Sequence, residues 1–304
     1  MTEADPHHRL PIAAGSVAVF AWSFGPILVR AVGASTPTVV FWRMWLAQPL
    51  MIGVAYLTRG RLSLPLLRRC LVPGVLFAFA LITSFASYQS TSIANATLIG
   101  ALQPAVIMLV APRLFGDRSS PRQVAYAFVA FTGMAVVVIG AGATSGASLR
   151  GDLYALANLA VWTTYFVRVK QIRNEGLHAP SFLAGVFLVG AVTVTPWALL
   201  SSHDLGSLNV RGYLLVVLMV VGPGLLGHGS MTWAQRHLDI TLASQLTLVQ
   251  PALSTLWAWL IYDEHLLPVQ LAGATVVLGG LVGVVRHSRR PFEARRSVLS
   301  AAVD

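Results

Sequence analysis

Long apolar runs, separated by short polar or arginine-bearing stretches, cover nearly the whole chain. They begin near residues 10, 38, 71, 94, 121, 151, 180, 212, 241 and 268, and a membrane-crossing helix needs about 20 predominantly apolar residues. The pattern predicts an all-α integral membrane protein with ten transmembrane helices. Ten such helices use about 200 residues, which leaves no room for a separate soluble domain. Within the runs, polar residues recur at helical spacing, which sets each group on one face. The third run carries Ser84, Tyr88 and Thr91, the sixth Asn158, Trp162 and Tyr165, and the eighth His228, Thr232 and Gln235.

Two runs contain a residue that should break them. Pro104 sits in ALQPAV and Pro251 in LVQPAL, and proline in a helix interior costs about 3 kcal/mol or more. The two lie 147 positions apart, and the same shift sets Gln103 on Gln250, Pro121 on Pro268, Gln123 on Gln270 and Gly133 on Gly280. At a slightly shorter offset Trp22-Ser23 pairs with Trp162-Thr163 and Arg30 with Lys170. The chain reads as two halves, residues 10–142 and 150–286, flanked by tails at 1–9 and 287–304. Five crossings per half is an odd number, so the second half enters from the opposite face and the repeats are inverted. Helix breaks near the bilayer midplane persist only where protein or a water-filled cavity satisfies the released backbone groups. Breaks at matching positions of two inverted halves point to a transport site.

Composition agrees with a bilayer location, since 56% of the residues are hydrophobic and 11% charged. The net charge of +10 would suit nucleic acid, but its distribution argues otherwise. Arg59, Arg61, Arg68 and Arg69, then Arg113, Arg118 and Arg122, then Arg168, Lys170 and Arg173, then Arg236, and finally Arg286, Arg289, Arg290, Arg295 and Arg296 all fall on one side of a ten-helix path. Little beyond Arg150 and Arg211 falls on the other. The positive-inside rule then makes both termini cytoplasmic, with the basic tail facing anionic headgroups. The first run lacks a small-residue cleavage pattern and is expected to be retained. Cys70 is the sole cysteine, so an intrachain disulfide and a cysteine metal site are both excluded, and no cofactor or metal is expected.

The residues expected to reach a central cavity are Trp22, Arg43, Tyr88, Gln103, Trp162, Tyr165, His228, Trp233 and Gln250, with Pro104 and Pro251 as the helix breaks. Arg30 and Arg43 lie toward the outer ends of their runs, where a long cationic side chain either snorkels to the interface or binds a carboxylate. His228 is the one group of near-neutral reference pKa well inside a run, and is the candidate proton carrier if transport is proton-coupled. No Asp or Glu falls within the core of a run, so the expected cargo is neutral or anionic. An intramembrane hydrolase built on His228 and Ser230 is the rival enzyme reading, but two positions apart on a helix their side chains diverge. A lipid-linked flippase is the other alternative. Gly133, Gly140, Gly273, Gly279, Gly280 and Gly283 favour close helix packing, inside the chain or with a second copy.

These residues resemble a known family. The stretch GLLGHGSMTWAQRHLDITLASQLTLVQPALSTLWAWLIYDEHLLPVQLAGATVVLGGLVG looks like the second repeat of EamA-type transporters in the drug/metabolite transporter superfamily, and SYQSTSIANATLIGALQPAVIMLVAPRLFGD followed by GMAVVVIG looks like the first. The likeness spans about residues 12–286. It implies ten helices in inverted five-helix repeats, a central substrate cavity and alternating access, commonly export, and it implies no particular substrate; the expected function is transport of a small neutral or anionic metabolite, amino-acid-like or amphipathic, across the cytoplasmic membrane. The glycine-glutamate usual at a helix end appears here as Gly116-Asp117 and Asp263-Glu264. Small multidrug relatives carry a carboxylate in the first helix, where this chain reads FAWSFGPILVR.

Overall fold

The computed structural model describes residues 6–115, 120–141, 148–238, 240–264 and 267–286. Gly116-Asp117 and the basic tail from residue 287 lie outside the described residues. In chain order the helices are α1 (Pro6–Ser23), α2 (Gly25–Val32), α3 (Thr36–Leu57), α4 (Leu64–Ser90), α5 (Ile93–Gly100), α6 (Gln103–Phe115), α7 (Pro121–Ala141), α8 (Leu149–Asn174), α9 (Ala179–Ser201), α10 (Val210–Met219), a π-helical stretch over Val220–His228, α11 (Gly229–His237), α12 (Ile240–Leu246), α13 (Val249–Tyr262) and α14 (Pro268–Arg286). Several starts follow from local capping. The side chains of Ser63, Ser92, Ser148 and Asn209 each accept a hydrogen bond from a backbone N–H three residues on, satisfying a donor that the first helical turn leaves unpaired.

Among the described residues, six helical runs are long and apolar enough to cross a bilayer: Leu10–Val32, Thr36–Leu57, Leu64–Ser90, Ile93–Val110, Ala179–Ser201 and Val210–His237. Their outer surfaces are apolar too. On α4, Cys70, Phe77, Ala78 and Leu81 are buried while Leu71, Val72 and Phe79 are exposed, and Phe128, Leu200 and Val210 stand out from other helices. A surface this rich in contiguous large apolar side chains fits a lipid surround, and the chain is a multi-pass integral membrane protein.

The helices assemble by pairing across the chain. α3 packs on α9, α4 on both α8 and α9, α1 on α11 and the π-helical stretch, and α7 on α14. The α7–α14 contact brings backbone against backbone. A Cβ on Gly133 would stand 2.7 Å from the Val277 nitrogen, and one on Gly280 would stand 2.7 Å from the Ala130 nitrogen. These two glycines serve packing within the chain, whereas Gly279 has open space where its Cβ would be.

Both glutamine-proline sites are true breaks. α5 ends at Gly100 and α6 restarts at Gln103; α12 ends at Leu246 and α13 restarts at Val249. Between them the chain makes tight i to i+3 bonds, Leu102 N–H to the Ile99 carbonyl at 3.2 Å and Gln250 N–H to the Thr247 carbonyl at 3.1 Å. Each proline thus falls in the first turn of a new helix, where the missing N–H would have had no helical partner. α5 packs against α13 and α6 against α12, so the two broken segments cross each other.

Candidate substrate cavity

A cavity of about 110 Å³ opens where the broken segments cross, with room for several water molecules or a small solute. Gly100, Ala101 and Gln103 border it from one break, and Thr247, Gln250 and Pro251 from the other. Helix α4 contributes one face, Ala80, Leu81, Ser84, Phe85 and Tyr88, whose spacing follows the helical repeat. Trp22, Pro26, Asn158, Trp162, Pro223 and His228 close the remaining sides, and Arg43 projects in from α3.

Arg43 sits two turns inside α3 and is 3% exposed. It does not snorkel. One guanidinium nitrogen, Nη2, lies 3.4 Å from His228 Nε2, and the guanidinium carbon stands 5.3 Å from the centre of the Phe85 ring, a cation–π contact. Nε and Nη1 are buried with no hydrogen-bond partner, as is Gln103 Nε2. An arginine nitrogen has only donors. The contact therefore makes His228 Nε2 the acceptor and leaves the imidazole neutral, with its proton on Nδ1.

His228 occupies an aromatic box. Its ring centre is 4.9 Å from Phe77, 5.1 Å from Trp22, 5.7 Å from Trp162 and 6.0 Å from Phe187. The π-helical stretch before it positions this ring. Trp22 Nε1–H donates to the Pro223 carbonyl at 3.1 Å, and Gly227 lets the indole lie against the helix backbone, since a Cβ there would stand 2.5 Å from Trp22. π-helical turns are rare and often mark functional sites.

The two ends beyond the cavity are held by basic side chains. Arg30 donates to the carbonyls of Tyr88 (3.0 Å) and Thr91 (2.7 Å) and stands 3.7 Å from the Glu264 carboxylate, which in turn accepts from the Ile93 N–H at 2.9 Å. Burial pushes the Glu264 carboxyl above its ordinary range, and Arg30 and the Ile93 N–H pull against that shift. Lys170 donates to the carbonyls of Gln235 (2.7 Å) and Leu238 (2.8 Å).

A family model described as the EamA-like transporter family matches residues 9–139 and 149–286. The chain belongs to the EamA-like transporter family. Transport rather than catalysis is the business of such proteins, and among the described residues no group of three His, Cys, Asp or Glu could hold a metal ion. No curated protein matches the chain. Among solved structures, one titled simply as the crystal structure of a protein is similar over 92% of this chain and 99% of its own, at 21% identity and a TM-score of 0.70. That likeness concerns the fold.

Of the residues expected from the sequence of this EamA-like protein, Trp22, Arg43, Tyr88, Gln103, Trp162, His228, Gln250 and Pro251 line this cavity. Tyr165 and Trp233 do not. Tyr165 is 3% exposed and packs behind the wall, 5.2 Å from Phe77 and 5.0 Å from Trp162. Trp233 turns onto His237, one helical turn away, at 4.4 Å between ring centres. Pro104 is buried at the restart of α6 without reaching the lining. The sequence reading missed Phe85, Pro26 and the π-helical stretch. The last had a signal in Gly222-Pro223-Gly224, a third breaker cluster inside an apolar run.

Proposed function

We propose that this chain is a secondary transporter that moves a small neutral or anionic metabolite, amino-acid-like or amphipathic, across the cytoplasmic membrane by alternating access, in the direction of export. Ten crossings in two inverted five-helix repeats, 10–142 and 150–286, with both termini cytoplasmic, are part of this reading. The observation that carries it is the meeting of both glutamine-proline breaks at one cavity, where Gln103, Gln250, Arg43 and His228 stand among largely apolar walls, the arrangement expected of a transport site. The crossing of α5 with α13 and of α6 with α12 supports antiparallel halves. The cavity lining includes no Asp or Glu among the described residues, which supports a cargo other than an organic cation.

His228 is the proton carrier in this proposal. Arg43 Nη2 faces His228 Nε2 at 3.4 Å; a cargo that takes over Arg43 frees Nε2 as a proton acceptor. The other groups around the ring, Trp22, Phe77, Trp162 and Phe187, are uncharged, so Arg43 is the charged group that faces it. Metabolite profiling of medium and cytosol in cells that overexpress or lack the protein tests the whole reading. One class of neutral or anionic compound should rise in the medium with expression and in the cytosol with deletion. Robust ethidium efflux by purified protein in liposomes would sink the cargo assignment, and pH-gradient-driven flux that survives His228→Gln would sink the proton role.

A further inference from the structure

We infer that Arg43 is the docking point for a single carboxylate on the cargo, and that the cargo is an organic monoacid whose apolar body rests on the rings of Phe85, Trp22 and Trp162. This rests on the transport reading above and narrows its neutral-or-anionic cargo to one chemical class. The guanidinium is enclosed, two turns deep in α3, and faces the cavity. Nε and Nη1, which carry three of its five N–H hydrogens, have no acceptor. The described carboxylates are engaged or remote. Asp152 accepts from Thr91, Glu175 pairs with Arg69, Asp204 accepts from Ser35, Glu264 pairs with Arg30, and Asp263 is exposed at the end of α13.

A buried cation lacking a counter-charge is costly and marks a functional position. The missing partner is an acceptor with negative charge. Gln103 Nε2, the other buried cavity donor without a partner, asks for an acceptor too. A carboxylate supplies two acceptor oxygens in the guanidinium plane, and pairing both uses Nη2 together with Nε or Nη1, so the docked carboxylate takes the place of His228 Nε2. Aromatic rings around the same space bind an apolar body, and the room, about 110 Å³, suits a small acid rather than a lipid.

The test is calorimetric titration of the purified protein in nanodiscs of phosphatidylcholine alone, which removes carboxylate headgroups and lipids of net negative charge as competing ligands. The probes are acetate, isovalerate and phenylacetate, each beside its amide, with chloride as the inorganic control. The expected result is that at least one acid binds, about ten- to a hundredfold more tightly than its amide, and that Arg43→Gln abolishes the preference. Binding of no acid, equal binding of acid and amide, or chloride binding as tightly as the acids would each overturn the inference. The acid-to-amide comparison uses the unaltered protein, so a variant that fails to fold does not decide the matter. Counterflow of the amides in liposomes, with no binding of the acids, would overturn the carboxylate site and leave the transport reading intact. Acid binding without flux of any probe would support the site and overturn the transport reading.

Discussion

Arg30 and Lys170 each bind two carbonyl oxygens at the end of a helix that is not their own, and the four carbonyls match across the two halves. Tyr88 and Gln235 stand 147 positions apart, as do Thr91 and Leu238. A helix C-terminus leaves its last carbonyls unpaired and carries partial negative charge, so one cation satisfies both needs. The device ties α2 to the end of α4, and α8 to the end of α11. Hydrogen bonds to a charged group contribute about 1.5–3 kcal/mol each way they are lost. Arg30→Ala and Lys170→Ala should each lower the melting temperature in detergent. The two sites share no residue, so the double variant should lose about the sum. A double variant no worse than either single one would show that the clamps do not act independently.

Gly227 is present because of Trp22. A Cβ at 227 would sit 2.5 Å from the indole Cδ1 and Nε1, which must then swing away and give up its bond to the Pro223 carbonyl. Overpacking of this kind costs about 1–3 kcal/mol, and here it also displaces a wall of the cavity. Gly227→Ala is expected to cut flux strongly, while Gly222→Ala and Gly229→Ala, where the added Cβ meets nothing within 4 Å, should transport nearly as well as the unaltered protein. Flux assays on the three variants in liposomes check this, and equal loss in all three would remove the steric explanation.

Asp204 offers a pH handle outside the membrane-spanning helices. Burial pushes its carboxyl up, but hydrogen bonds from the Ser35 N–H (2.7 Å), and the hydroxyls of Ser35, Thr38 and Ser202, outweigh burial and hold it below the usual carboxylate range. A carboxyl depressed by folding stabilises the folded state fully above its unfolded pKa, about 3.9, and the contribution fades as pH falls through the folded value. Asp204 ties the start of α3 to the loop after α9. Asp204→Asn should therefore lower the melting temperature at pH 7, and the gap from the unaltered protein should narrow only below about pH 4. A gap that is constant down to strongly acid pH would mean the carboxylate charge is not what holds the loop.

Much of this was legible in the sequence because it is local. Pro104 and Pro251 announce breaks wherever they stand, whereas the start of α4, expected near residue 71, lies at Leu64, where Ser63 caps the helix. The depth of Arg43 was not legible. Its distance from a helix end permitted snorkelling, and only the packing of α3 against α9 and the π-helical stretch decides that its side chain turns inward. Tyr165 shows the same limit. It shares a helical face with Trp162, but Phe77, from another helix, draws its ring behind the wall. The aromatic box of His228 assembles Trp22, Phe77, Trp162 and Phe187 from four helices, and no spacing within one helix records it.

The two breaks should trade stability for motion. Pro104 and Pro251 sit where a helix restarts, so alanine at either position fits the same backbone and regains an N–H that can bond back across the break. For Pro104→Ala that bond would run to the Gly100 carbonyl, one turn earlier, and for Pro251→Ala to the carbonyl of Thr247. Each would draw two half-helices toward one continuous rod through the wall of the cavity. If the broken segments hinge as the halves alternate, continuity stiffens the hinge. Both variants should keep or raise the melting temperature while flux falls, most of all in the double variant, because either intact break still allows some motion. Binding of a cavity probe should survive, since Gln103 and Gln250 remain in place. Undiminished flux in the double variant, with the melting temperature unchanged or higher, would show that the breaks shape the cavity without taking part in its opening.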